Sequence, residues 1–326
     1  MYPTTLPARS ILTATTLALT VTLGATSSAF ARQDARPDAR VYALEPSTHG
    51  NPEGVAYDPR SGTFFVGTIG DGTIYRASLD DTVARVFIPG TDGGQATGLK
   101  VWRDRLYVAG GATGQLRVYE IATGQLLATV DTGEGGLLND LAITNTGDVY
   151  VTDSFRPYLW HATAEQVEAG GGVPQAIPVE PEIAYDPFAF NLNGIVSLED
   201  GQRLIVGHSG TGELFRIDVD ADAPLGRTIQ RIDVEPLFSD GLLLDKGQLV
   251  VVTFYPAPTL TFVRLDADAG SGVVVGQLTH PSITDPSTVA RARNSYLVVN
   301  ADFLTSTPPF TVTALPRNAA AGESEP

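Results

Sequence analysis

From Arg40 onward the apolar residues come in short runs such as "GVAY", "TFFVG", "LYVAG" and "LVVVT", each stopped by a cluster of Gly, Asp, Asn or Pro. That punctuation predicts strands and turns, because an amphipathic helix would need apolar positions three and four apart over a longer stretch. One segment, "ATAEQVEAGGG" from Ala162, has helix-forming residues closed by three glycines, and a single turn of helix is expected there.

The runs repeat. "EGVAYDPRSGTFFVGTIGDGTIYRASL", "TGLKVWRDRLYVAGGATGQLRVYEIATG", "NDLAITNTGDVYVTDSFRPYLWHAT", "NGIVSLEDGQRLIVGHSGTGELFRIDV" and "DGLLLDKGQLVVVTFYPAPTLTFVRLD" follow one template of apolar strand, turn, apolar strand, polar loop and alternating strand. A degenerate sixth copy is "PSTVARARNSYLVVNADFLTSTPPFTVTALP". Aligning the first strands puts Glu53, Thr97, Asn139, Asn193, Asp240 and Ser287 in one slot, at steps of 44, 42, 54, 47 and 47 residues. This is the length of a four-stranded propeller blade. The expected fold is therefore all-β, a six-bladed β-propeller of four-stranded antiparallel blades over residues 40–316. The early strand near Val41 would complete the sixth blade and leave no open sheet edge. A β-sandwich would also use Asp-Gly turns, but equal spacing favours the propeller.

Before this region, Arg9, the apolar stretch "ILTATTLALTVTLGA" and the small-residue site "AFA" ending at Ala31 read as a signal peptide over residues 1–31. A secreted or periplasmic chain is expected, cleaved after Ala31 and with no membrane attachment once the leader is gone. Residues 32–39 read as a polar linker and 317–326 as a disordered tail. There are no cysteines, so disulfides and thiolate metal sites are excluded. The formal charge is −16 with no basic run, which argues against a nucleic-acid partner.

In a propeller the first strand of each blade lines the channel, so one repeat slot becomes a ring. Two carboxylates facing each other in a narrow channel repel unless a cation lies between them. Glu53, Asn139, Asn193 and Asp240 would offer four hard oxygens and a charge of −2. Calcium suits such a set best, with magnesium, manganese or zinc as alternatives; magnesium demands a tighter octahedron and zinc usually takes nitrogen or sulfur. For any one repeat, Asn or Asp before Gly is an ordinary turn residue. Turn chemistry does not account for Glu53, nor for four coincidences.

The loops after the second strands should open at the same end. They bring Asp153, Phe155, Arg156, Phe254, Tyr255, Asp302 and Phe303 around a mouth suited to a small molecule. His208 lies in one of these loops and could move a proton or simply bond its own loop. "GHSGT" lacks the last glycine of a nucleophile elbow, and "DVDADAP" lacks the Gly and Glu of an EF-hand loop.

"NPEGVAYDP", "LLNDLAITNTGDVYVTDS", "LNGIVSLEDGQRLIVGHS" and "SDGLLLDKGQLVVV" resemble the gluconolactonase, senescence-marker-protein and luciferin-regenerating-enzyme family of six-bladed propellers. The resemblance implies a divalent-metal hydrolase of lactones or esters, with metal ligands at Glu53, Asn193 and Asp240, and with Asn139 on the metal or the substrate. "EGGLLND" has no arginine where the family holds its sugar, which points to a more apolar lactone or ester. On that reading Asp240 is the general base, with a nucleophilic role as the lesser alternative. Two rivals are a non-catalytic extracellular propeller with a structural ion and a strictosidine-synthase-like enzyme.

Overall fold

A computed structural model describes residues 39–198, 201–219 and 227–317. The expected leader, nearly all of the linker and the tail beyond Arg317 lie outside these residues. The described chain is almost entirely β. In order it forms β1 (Arg40–Glu45), then β2 to β5 (Pro52–Asp58, Thr63–Thr68, Ile74–Ser78, Val83–Ile88) and β6 to β9 (Leu99–Trp102, Arg105–Ala109, Gln115–Glu120, Leu126–Asp131). Next come β10 to β12 (Leu138–Ile143, Val149–Asp153, Tyr158–Ala162), the helix α1 (Ala164–Glu168), and β13 and β14 (Gly171–Gly172, Gln175–Pro178). Then follow β15 to β18 (Leu192–Ser197, Arg203–His208, Leu214–Val219, Arg227–Arg231) and β19 to β22 (Leu242–Asp245, Gln248–Thr253, Thr259–Leu265, Gly272–Leu278). The last three are β23 to β25 (Pro286–Ala292, Ser295–Asn300, Thr311–Pro316). The helix stands where the Ala/Glu-rich segment predicts it, started by a capping box in which Thr163 and Gln166 each accept the other's backbone N–H.

Hydrogen bonding divides the strands into sheets of eight, five, four, four and four. This differs from equal four-stranded units in two places. β1 pairs antiparallel with β25 and parallel with β5, which merges β2–β5 and β23–β25 into one eight-stranded sheet. Gly171 and Gly172 of β13 lie parallel to Thr129 and Val130 and add a fifth strand to β6–β9.

The first strands of the repeats, β2, β6, β10, β15, β19 and β23, pack each against the next, and β23 returns to β2. Between neighbouring repeats lie separate apolar cores: Ala56, Phe65 and Ile74 against Leu99, Leu106 and Val108 form one, and Val196, Ile205 and Leu214 against Leu242, Leu249 and Val251 another. Strands covered on both faces need apolar residues at successive positions, which is why the second strands read as continuous runs and not as alternation.

Four of the six first strands begin with a β-bulge at the repeat slot. Pro52 pairs with Thr68 and Val55 with Val66, so Glu53 and Gly54 together oppose one residue. The same skip occurs at Asn139 and Asp140, at Asn193 and Gly194, and at Ser287 and Thr288. At the remaining two slots one residue serves both members of the pair: Asp240 N–H donates to Val252 while Gly241 accepts from it, and Thr97 and Gly98 use Ala109 in the same way. A bulge turns a side chain out of the regular pleat. In four repeats the second bulge residue backs so closely onto the next repeat that only glycine fits: a Cβ at Gly98 would meet Asp140 Cα at 2.6 Å, and one at Gly194 the Asp240 carbonyl at 2.5 Å.

Candidate functional site

Glu53, Thr97, Asn139, Asp140, Asn193, Asp240 and Thr288 line one cavity of about 10 Å³, with Gly54, Gly98 and Gly241 completing its wall. The four side chains expected to hold a metal therefore share one cavity, and all four are buried. The other two slot residues do different work. Thr97 donates its hydroxyl to the Leu138 carbonyl at 2.7 Å, and Ser287 donates to the Glu53 carbonyl at 2.7 Å, so both tie adjacent first strands together.

The electrostatics of the cavity are unfavourable as a set of bare side chains. Burial drives the Glu53 carboxyl well above its ordinary pKa, and Asp240 and Asp140 add to the rise. Burial lifts Asp240 from 3.8 to about 7; a hydrogen bond with Asn193 opposes the rise, and Asp140 and Asp285 increase it. Glu53 Oε2 and Asn193 Oδ1 are buried acceptors without a hydrogen-bond partner among the described residues. Such acceptors are costly unless a donor or a cation meets them. No three His, Asp or Glu side chains among the described residues stand close enough to hold a metal alone, so any ion at this cavity has to use the amides. The lining contains no His or Cys. Hard oxygens with mixed carboxylate and amide character fit calcium, magnesium or manganese better than zinc.

The second bulge position of the third repeat carries the one carboxylate that the repeat slot did not flag. Asp140 stands where four other repeats have glycine, a departure legible in "LLNDLAI". Its Oδ1 accepts from Lys100 Nζ at 2.7 Å and from the Leu141 amide at 2.8 Å.

The expected mouth residues separate into two kinds. Asp153 is fully buried and both its oxygens are occupied: Oδ1 accepts from the Leu137, Phe155 and Arg156 amides, and Oδ2 from Arg156 Nε and Trp160 Nε1. Arg156 is likewise committed, donating to the Thr132 carbonyl and hydroxyl and lying 4.7 Å from the Trp160 ring centre. Asp302 accepts from the Thr284 hydroxyl at 2.9 Å, and its carboxyl pKa is raised by burial. Phe155 and Tyr255, by contrast, are exposed; Phe155 packs on exposed Phe190 at 5.3 Å between ring centres, and Tyr255 on exposed Phe238 at 6.4 Å.

His208 is buried beside a different cavity, with Ala184, Thr211, Glu213 and Arg231. Its Nδ1 accepts from the Thr211 amide at 3.2 Å, which leaves Nε2–H to donate to the Ala184 carbonyl at 3.1 Å. Both nitrogens hold the loop, and burial lowers the imidazole pKa. A histidine–carboxylate pair that the sequence reading passed over joins His49 Nδ1 to Asp71 Oδ2 at 2.7 Å. A cleft of about 1250 Å³ along Arg203, Arg216, Asp218 and Asp266 shares no residue with the slot cavity, and its Arg216 is paired with Asp218 at 2.9 Å.

No protein-family model matches the chain, and no curated protein matches it. Solved structures do. A chain of the mitotic checkpoint complex is similar over 94% of this chain and 99% of its own, with a TM-score of 0.60 and 11% identity. A chain of hydrazine synthase from Kuenenia stuttgartiensis is similar over 81% of this chain and 83% of its own, at a TM-score of 0.56 and 14% identity. Luciferin-regenerating enzyme is similar over 85% of this chain and 95% of its own, at a TM-score of 0.60 and 14% identity. At such identities the likeness is one of fold, and it identifies the chain as an all-β protein of propeller-like architecture.

Proposed function

We propose that the chain is a six-bladed propeller whose axial cavity holds a divalent cation, calcium by preference, and that it hydrolyses an apolar lactone or ester in a secreted or periplasmic setting. The closed cycle of first strands supports the blade count, with the eight-stranded sheet read as two blades joined through β1. One observation carries the functional reading: Glu53 Oε2 and Asn193 Oδ1 are buried without donors beside a cavity that Asp240 and Asn139 also line.

A bound divalent cation would supply Lewis-acid polarisation of the substrate carbonyl. Glu53, Asn139 and Asn193 would hold it, and Asp240 would join them while accepting a proton from the attacking water through its carboxylate. The exposed pairs Phe155–Phe190 and Tyr255–Phe238 offer apolar surface for the acyl or alcohol portion. His208, Asp153 and Arg156 serve on this reading to hold their loops.

A chelator should abolish hydrolysis of a lactone and aryl-ester panel, and calcium should restore it. Asp240→Asn should fold normally and lose at least about a hundredfold in kcat, the scale of a positioned acid–base group. Unchanged turnover in that variant removes the mechanism.

The second reading, a non-catalytic propeller stapled by its ion, has one observation in its favour. The cavity of about 10 Å³ has room for an ion or a water but not for a substrate. On that reading chelation lowers thermal stability and no member of the panel is hydrolysed.

A further inference from the structure

We propose that Lys100 is a tethered counter-cation that sets the net charge of the axial site, and with it the affinity for cations and the preference for divalent over trivalent ions. The inference rests on the metal-binding reading above.

Glu53, Asp240 and Asp140 bring three carboxylates to one cavity lining. Fully ionised, they would present −3, a charge that suits a trivalent ion better than calcium. The Lys100 ammonium, 2.7 Å from Asp140 Oδ1, reduces this to −2. Three features of the backbone make the pair a built arrangement. Asp140 occupies the bulge position that Gly54, Gly98, Gly194 and Gly241 occupy in other repeats. Gly98, in the adjacent first strand, leaves the space in which Asp140 sits: a Cβ there would lie 2.7 Å from Asp140 Oδ1. Lys100 follows two residues after Gly98, at the start of β6, and its side chain crosses from the second repeat to the third. The Asp140 side chain is 7% exposed and that of Lys100 29%, so solvent screens the pair weakly at the carboxylate end. Asp140 engages its own oxygens with Lys100 and with the Leu141 amide, and weakly with the Ile195 amide at 3.4 Å; it acts on the ion through charge and leaves ligation to Glu53, Asp240 and the amides.

The test is calorimetric titration of calcium chloride into the full chain, alongside terbium titration, for wild type and four variants. Lys100→Met should bind calcium at least tenfold tighter and shift preference toward terbium. Asp140→Asn should bind calcium at least tenfold more weakly. The double variant Lys100→Met with Asp140→Asn restores −2 and should return to within threefold of wild type. Lys100→Arg keeps the charge and should also stay within threefold. Circular dichroism checks each fold; should Lys100→Met not fold, Lys100→Gln, which keeps a donor to Asp140 without the charge, takes its place with the same expectation. A purely structural ion pair weakens binding on loss of either partner, so a same-sign change in the two single variants overturns the proposal. Calcium binding that is flat across all variants overturns it too while leaving the metal site standing. Absence of calcium binding in wild type overturns the site itself and this inference with it.

Discussion

At the scale of single residues, the cavity carboxyls make stability depend on pH in a defined direction. Glu53 and Asp240 have pKa values raised by burial, Asp240 from 3.8 to about 7. The folded chain thus binds their protons more tightly than the unfolded chain does. Their contribution to stability is present at low pH and is lost as pH climbs from about 4 through about 7. Calcium replaces the proton as the neutralising partner, so the stabilisation it gives should grow with pH. Thermal melts with calcium and with chelator should nearly coincide at pH 4.5 and separate by several degrees at pH 8; equal separation at both values contradicts the assignment. Most of this cluster was legible in the sequence, because Glu53, Asn139, Asn193 and Asp240 recur in one slot. Lys100 was not, since its role depends on Asp140, 40 residues away in sequence and joined to it only by packing of adjacent repeats. His208 and Asp153 were legible as loop residues, but the number of donors a loop turns inward, five for Asp153, follows from backbone geometry that no run of letters specifies.

At the scale of elements, the bulge is the unit that builds the site. The strands were readable from their apolar runs, and the start of four of the first strands from the glycine after the slot, at Gly54, Gly98, Gly194 and Gly241. Turn chemistry, which would suit an Asn or Asp before Gly, is not what demands that glycine: contact with the neighbouring repeat is. Gly194 illustrates the point, since an added Cβ would meet the Asp240 carbonyl at 2.5 Å and the Leu242 amide at 2.7 Å, both backbone atoms that cannot rotate away. Gly194→Ala should therefore cost about 1–3 kcal/mol, the usual penalty of overpacking, read as a lower urea midpoint. It should also weaken calcium binding, because Asn193 and Asp240 are pushed apart. A neutral effect on both would show that the first strands are looser than their packing implies.

At the scale of the whole molecule, repeat spacing and composition were enough to anticipate an all-β, propeller-like fold. The merged eight-stranded sheet was not anticipated as such, although the strand near Val41 was expected to close the array. It does so by pairing with β25 on one side and β5 on the other. The fully buried Tyr42 and Leu44 anchor β1, and Arg40 donates to the Leu79 carbonyl at 2.7 Å. Deleting residues up to Glu45 would expose the edges of both β25 and β5. The melting temperature should then fall by roughly 10 °C or more, given a few degrees per kcal/mol for a chain of this size, and size-exclusion chromatography should show association through the freed edges. A monomeric, equally stable product would mean that β1 is peripheral.

The central claim is that slot residues far apart in sequence meet around one cation. Anomalous diffraction from crystals grown with calcium or manganese tests it most directly. The expected result is one anomalous peak bounded by carboxylate oxygens of Glu53 and Asp240 and amide oxygens of Asn139 and Asn193, at about 2.3–2.6 Å for calcium. A map with no peak at that cavity, or with the ion held by other residues, would contradict the account.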